Sequence, residues 1–313
     1  MEIKLSIVIP CYNEEEVLPE TTKRMTALLD KMVEDGLVNE TSEIVYVDDG
    51  SRDKTWEFIE QYHQENRYVH GVKLAGNAGH QNALMAGLTI AKETADAIIS
   101  IDADLQDDIN VIPEMVRHFL SGCDIVYGVR KARKTDSFFK RFTAQGFYRL
   151  MKRLGVKSVY NHADFRLMSR RAVEQLCRYR ERNLFLRGIV PLIGYKTECV
   201  YYDRSERFAG ESKYPLGKMV NFAMDGITSF SVKPVRLIAS LGVFFLFVTL
   251  IVLIWVVYAM ITHHNVPGWA SLMLSIWFVG GCMLLGLGVV GEYIGKIYME
   301  VKDRPRYNVE KVI

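Results

Sequence analysis

Four aspartates, Asp102, Asp104, Asp107 and Asp108, fall within seven positions of the stretch AIISIDADLQDD, directly after an apolar run. Carboxylates this close repel one another, and each that loses water raises the cost of ionising its neighbour. A cation, or a chemistry that uses the negative charge, must offset that. The Asp-x-Asp pair Asp102 and Asp104 suits a hard divalent cation such as Mg²⁺, which prefers carboxylate oxygens, water and phosphates. Bridging a diphosphate, such an ion neutralises charge that builds on a phosphate leaving group. The plainer alternative is a solvated acidic loop in which Asp107 or Asp108 caps the next helix. Two more polar clusters, PCYNEE (Pro10 to Glu15) and DDGS (Asp48 to Ser51), also follow apolar runs.

Strands must carry these clusters. LSIVIP, EIVYVDD, YVHGVKL, AIISID and DIVYGV read as strands, with helices over Glu15 to Lys31, from about Asp53, over His80 to Glu93 and over Asn110 to Leu120. Continuous apolar strands alternating with helices predict an α/β fold whose mostly parallel sheet is covered on both faces. Ligands gather beyond the carboxyl ends of such strands, which is where all three clusters lie. The one G-x-G-x-x-G, Gly286 to Gly291, sits inside an apolar run and not at a strand–helix turn, so it cannot cradle a dinucleotide. Together with Gly291 and Gly295 it instead lets helices approach closely.

The net charge of +2 and a pI near 8.2 argue against a nucleic-acid partner. Five dispersed cysteines without C-x-x-C spacing read as reduced thiols facing a cytosol. The N-terminal apolar run, about six residues, is too short for a signal peptide. Leu237 to Ile261 and Trp269 to Gly291 are uncharged. Each spans roughly 35 Å as a helix, enough to cross a membrane. Lys and Arg flank the pair but do not occur between Leu237 and Gly295, which predicts that the long N-terminal part and both termini face the cytoplasm. The expected organisation is a catalytic domain over 1–212, an interfacial connector over 213–236, two transmembrane helices over 237–297 and a cytosolic tail over 298–313.

SIVIPCYNEE, VDDGSRDKT, NAGHQNALMAG and DADLQDD together resemble the GT-A (Rossmann-like) core of family 2 inverting glycosyltransferases. With GESKY and the C-terminal hairpin, the chain is similar over nearly its whole length to polyprenyl-phosphate glycosyltransferases. That group includes bactoprenol glucosyltransferases and dolichol-phosphate mannose synthases. The resemblance implies that Pro10, Tyr12, Asn13, Glu14, Asp48 and Asp49 frame the base and ribose of a nucleotide-sugar. It further implies that Asp102 lies near the ribose or metal, that Asp104 and Gln106 ligate Mg²⁺ or Mn²⁺, and that Asn77 and Gly79 shape the loop beside the donor. Pro10 and Gly50 could equally only set turns, and Asn13 only cap a helix.

A polyprenyl-phosphate acceptor has its head at the membrane surface. Pro215 opens a connector in which Leu216, Met219, Val220, Ala223, Ile227 and Phe230 recur at helical spacing, as in a helix lying in the interface. Its phosphate needs cations, and Arg130, Arg141, Arg207 and Lys213 are the candidates, since Arg binds phosphate through strong charge-assisted bonds. Asp164 stands where related enzymes put a carboxylate beside the reacting sugar. A phosphate monoester is already largely dianionic near neutral pH, so a general base is less necessary here, and Asp164 could instead hold a donor hydroxyl or organise the basic groups. The implied reaction moves one sugar, glucose from UDP-glucose, to undecaprenyl phosphate at a bacterial plasma membrane. A homo-oligomer and a flippase or downstream glycosyltransferase are the expected partners. Two rivals are a processive polysaccharide synthase, for which QLCRY (Gln175 to Tyr179) imitates a Q-x-x-R-W motif, and a non-catalytic nucleotide-sugar-sensing scaffold.

Overall fold

The computed structural model describes residues 2–131, 162–182, 184–203 and 268–313, with scattered positions between 235 and 261. Arg141, Arg207, Lys213 and nearly all of the 213–236 connector lie outside the described residues. The chain divides into two compact units: residues 1–152, 157–215 and 304–313 in one, and 153–156 with 216–303 in the other.

The first unit is an eight-stranded sheet in the order β7-β5-β6-β4-β1-β2-β3-β8. Its strands are β1 (Leu5–Cys11), β2 (Glu43–Asp48), β3 (Val69–Leu74), β4 (Ala97–Ser100), β5 (Ile125–Arg130), β6 (His162–Ser169), β7 (Thr197–Tyr202) and β8 (Val309–Val312). β1 pairs in parallel with β2 and β4, β2 with β3, and β5 with β7, while β6 runs antiparallel between β4 and β5. β1 is buried along its whole length, which explains its unbroken apolar sequence. The first four helices are α1 (Leu18–Glu34), α2 (Thr55–Glu65), α3 (His80–Ala91) and α4 (Ile112–Leu120). In α1, Leu18, Thr21, Thr22, Met25, Leu28, Leu29 and Met32 form the buried stripe. That spacing of three and four is what lets one face of a helix cover a sheet.

α1 begins three residues later than its sequence predicts because residues 13–15 are taken by another loop. The amides of Asn13, Glu14 and Glu15 donate to Ser51 Oγ, Thr55 Oγ1 and Asp53 Oδ2 at 2.9–3.1 Å. Asn13 adopts φ +54° and accepts from the Arg52 amide at 2.8 Å, so it ties two loops together and does not cap α1. QLCRY begins in α5 (Arg170–Cys177) and leaves Arg178 exposed just past its end. The short α6 (Leu186–Ile189) follows.

In the second unit, α7 (Trp269–Lys302) contains the stretch Phe278–Lys302, long and apolar enough to cross a membrane at a mean hydropathy of 1.6. Described positions of the other apolar run, including Phe244, Phe247, Ile254 and Trp255, are helical and exposed. A Cβ on Gly286 would lie 3.2 Å from Ile238, so that glycine permits a close approach, whereas Gly288, Gly291 and Gly295 have open space around their missing Cβ atoms.

The chain end differs from the sequence expectation. Residues 298–313 are not all tail: α7 continues to Lys302, and β8 adds antiparallel to β3 as the last strand of the sheet. Its sequence, VEKV, carries no apolar–polar alternation and is only four residues long, so no local signal announces it beside two apolar runs.

Candidate active site

The loops after β1, β2, β3 and β4 meet on one rim. β6 runs the opposite way, so its beginning reaches the same rim. Ser100 pairs with Arg166; continued two residues, that register brings Asp102 level with Asp164. The Asp164 carbonyl also accepts from Ser100 Oγ at 2.6 Å.

Asp48 and Asp49 are buried, and burial raises both carboxyls above their usual range. Asp49 is fixed by the Ala78 and Gly79 amides, which donate to its two oxygens at 2.7 and 2.9 Å. Asn77 is exposed, while Gly79, at φ +90°, opens α3. Asp48 Oδ1 accepts from the Ser51 amide at 3.2 Å, whereas the buried Oδ2 has no hydrogen-bond partner among the described residues. A buried acceptor left unmatched costs about 1–3 kcal/mol, so this atom calls for a donor from outside the chain. Pro10 is buried at the end of β1 and Tyr12 is exposed beyond it. Asn13 and Glu14 line a cleft of about 450 Å³ with Glu15, Glu16, Val17, Arg52 and Asp53.

Gly50 lets two of these loops touch. It sits at φ +69°, and a Cβ there would lie 2.7 Å from the Asn77 amide nitrogen and the Gly76 carbonyl carbon. Gly50→Ala should therefore displace the Gly76–Gly79 loop and weaken nucleotide affinity by at least about tenfold. Calorimetric titration with UDP checks this, and unchanged affinity would show that the contact does not matter.

Asp102 and Asp104 are half-exposed, with Ala103 and Leu105 buried between and beside them. Leu105 has φ +54°, a conformation an L residue adopts only under constraint, at the turn that aims the pair. Asp104 Oδ1 accepts from the amide of the buried Gln106 at 3.1 Å. Asp102 lies 3.4 Å from His80 Nε2. Desolvation first, then the negative Asp164, Asp107 and Asp104, push Asp102 up to about 6 against the pull of His80.

The two outer aspartates separate. Asp108 caps the 3₁₀ turn Ile109–Val111, accepting from the Asn110 amide at 3.0 Å. Asp107 turns inward, and its Oδ1 accepts from Arg130 Nε and Nη2 at 3.0 and 2.8 Å and from the Tyr202 hydroxyl at 2.6 Å. Arg130 thus sits at the rim with part of its charge already matched.

Asp164 lies between two guanidiniums. Arg166 Nη2 donates to Oδ1 at 2.5 Å, and Arg187 donates from Nη2 to Oδ2 at 3.0 Å and from Nε to Oδ1 at 3.3 Å. Burial alone would raise the Asp164 carboxyl, but Arg187 and Arg166 overcome it and hold the group well below the usual range. Arg166 is 1 % exposed and Arg187 33 %. Gln81 Oε1 accepts from the Leu186 amide at 2.9 Å, which locates the turn bearing Arg187 against the start of α3. Sequence reasoning missed His80, Arg166, Arg187 and Tyr202. Arg166 had a signal, since residues two apart on a strand share a face.

Asp102 and Asp104 are the carboxylates that could hold a divalent cation, whose positive charge would relieve the repulsion at Asp102. Among the described residues no group of three or more His, Cys, Asp or Glu gathers as a closed metal cage. An open pair is what a cation shared with substrate phosphates requires.

The description "Glycosyl transferase family 2" matches residues 6–177. A Bacillus subtilis protein named uncharacterized glycosyltransferase YkoT is 56% identical over 306 residues, covering 98% of this chain and 91% of that one. The SfII prophage-derived bactoprenol glucosyl transferase of Shigella flexneri is 40% identical over 311 residues, covering 99% and 98%. A prophage bactoprenol glucosyl transferase homolog of Escherichia coli K12 is 41% identical over 312 residues, covering 99% of both. A crystal structure of glucosyl-3-phosphoglycerate synthase from Mycobacterium tuberculosis with Mn²⁺, UDP and phosphoglyceric acid aligns at TM-score 0.46 and 19% identity, over 72% of this chain and 76% of that one. With more than half its length matched by the family and relatives aligned nearly end to end, this chain belongs to glycosyl transferase family 2.

Proposed function

We propose that the protein transfers one sugar from a nucleotide-sugar, UDP-glucose, to polyprenyl (undecaprenyl) phosphate. The observation that carries this is the half-exposed Asp102–Asp104 pair level with an Arg–Asp–Arg cluster, in a chain whose near full-length relatives are named bactoprenol glucosyl transferases.

Asp48 Oδ2 accepts an N–H of the base, and Asp49 holds the Ala78–Gly79 backbone beside the donor. Pro10, Tyr12, Asn13, Glu14, Asn77 and Gly79 complete the nucleotide side. Asp102, Asp104 and Gln106 are the residues that would hold Mg²⁺ or Mn²⁺, which when bound would neutralise charge on the departing diphosphate. An oxygen of the acceptor phosphate attacks the anomeric carbon. The bond from that carbon to the diphosphate breaks, and its electron pair leaves with the nucleoside diphosphate. One displacement inverts an α-linked donor to a β-linked product.

No base is needed. The acceptor is largely dianionic near neutral pH, and a carboxylate held well below its usual range by two guanidiniums is a poor proton acceptor. Asp164 instead orients Arg187. That residue, one-third exposed, joins Arg130 and, outside the described residues, Arg141, Arg207 and Lys213 as a ligand for the acceptor phosphate. The two apolar runs and the Lys and Arg residues that flank them support a multi-pass protein of the bacterial plasma membrane with its catalytic unit in the cytoplasm. A homo-oligomer and a flippase or downstream glycosyltransferase complete the proposed setting.

The test is to incubate detergent-solubilised protein with labelled UDP-glucose, Mn²⁺ and undecaprenyl phosphate, then partition into chloroform. Lipid-soluble label with a single β-linked sugar is expected; polymer or no transfer from any common donor would overturn the reading.

The site also carries a pH signature. Protonation of Asp102 competes with the cation, so Mn²⁺-dependent UDP binding should weaken as pH falls through about 6, by roughly tenfold per unit below it. Because the raised carboxyl binds its proton more tightly folded than unfolded, the metal-free protein should lose stability as pH rises toward 6. UDP titrations at several pH values check the first, thermal melts the second; flat profiles would remove Asp102 from the cation site.

A further inference from the structure

The last ten residues form a strap along the sheet edge beside the donor loops. Arg306 Nη2 donates to the Tyr179 carbonyl at 2.6 Å, and the Tyr307 hydroxyl donates to Thr89 Oγ1 of α3 at 3.3 Å. The Asn308 carbonyl accepts from the Ala75 amide at 2.9 Å. β8 then pairs with β3, and Ile313 exchanges both backbone hydrogen bonds with Gly71, at 3.0 and 2.9 Å. The Ile313 side chain fills the space that Gly71 leaves: a Cβ there would lie 3.0 Å from it. Lys311–Glu60 and Lys73–Glu310 ion pairs, at 2.7 and 3.1 Å, lie along the strap but are too exposed to hold it alone.

Covering a sheet edge would explain β8 by itself. It does not explain where the strap starts. Its first backbone bond falls on Ala75, one residue before the Gly76–Gly79 loop, and the side chain before it reaches Thr89 in the last turn of α3, the helix that follows that loop. The glycine-bearing loop that leaves Ala75 supplies the two amides that fix Asp49. Each glycine widens the conformations such a loop can reach, so its ends must be held if its amides are to stay aimed.

We propose that residues 304–313 are a positioning element of the donor site: the strap fixes the Gly76–Gly79 loop where it leaves Ala75 and braces the helix that follows it, holds Asp49 through that loop, and so governs nucleotide affinity and not acceptor affinity. This rests on the donor-site reading above.

The test truncates the full chain after Asp303 and measures UDP binding with Mn²⁺ alongside the KM for undecaprenyl phosphate. The UDP Kd should rise at least about tenfold while the acceptor KM stays within about twofold. A synthetic peptide of residues 304–313 should restore UDP affinity. If the truncated chain fails to fold, the double variant Arg306→Ala, Tyr307→Phe keeps β8 and should still raise the UDP Kd by about threefold with an unchanged acceptor KM. Unchanged UDP affinity in these variants, or donor and acceptor affinities falling together without rescue, would overturn the proposal. Failure of the donor-site reading itself shows separately, as absence of UDP binding by the intact chain.

Discussion

Asp104→Asn is expected to cut turnover by about a thousandfold while leaving the fold as stable as before, or slightly more so. The asparagine oxygen can still accept from the Gln106 amide, as the carboxylate does at 3.1 Å, so the loop keeps its shape. What disappears is one negative charge at the place where a cation on the donor diphosphate would be held. Asp104 also contributes to the repulsion that pushes Asp102 up, so its neutralisation relieves strain in the metal-free protein. Activity and stability therefore move in opposite directions, as they do where a site is built against the interest of the fold. Steady-state kinetics with saturating Mn²⁺ and a thermal melt measure the two. Turnover within about threefold of the parent would mean the pair does not serve a cation.

Asp164→Asn is expected to behave in the other way, losing both. Arg166 is 1 % exposed and its charge is matched at 2.5 Å by Asp164. Breaking a buried pair by removing one partner costs about 3–5 kcal/mol, because the remaining charge is left without compensation. An asparagine keeps one acceptor, so the loss should fall near the lower figure and lower Tm by roughly 6 °C or more. Turnover should drop at least about tenfold because Arg187 loses the carboxylate that aims it. Arg187→Gln separates the two effects: at 33 % exposure it should leave Tm nearly unchanged and raise the acceptor KM. Full activity and an unchanged Tm for Asp164→Asn would remove the residue from both roles. If Asp164 were a general base, the variant would instead lose kcat with a normal KM, whatever its effect on Tm.

The fold was legible in the sequence wherever burial is simple. LSIVIP and EIVYVDD are strands buried on both faces, and an apolar run cannot be solvated any other way. The rim followed, because polar residues directly after such runs must stand at strand ends. Direction and partner choice were harder. β6 reverses between β4 and β5, and nothing local in HADFRLMS states that; only the reversal brings Asp164 to the rim. Asp107 and Asp108 looked equivalent as helix caps, yet one caps a turn and the other is buried against Arg130 and Tyr202, 23 and 95 positions away. Such pairings depend on tertiary contacts that a single sequence does not encode by spacing. The strap at residues 304–313 was hidden for a related reason: a four-residue edge strand gains its meaning from β3, more than 230 positions earlier.

The measurement that tests the central claim most directly is UDP binding by the intact chain and by Asp104→Asn, with Mn²⁺ and with a chelator. The account predicts binding that needs Mn²⁺ and that weakens by at least about a hundredfold in the variant. UDP affinity that ignores both the chelator and the loss of Asp104 would contradict it.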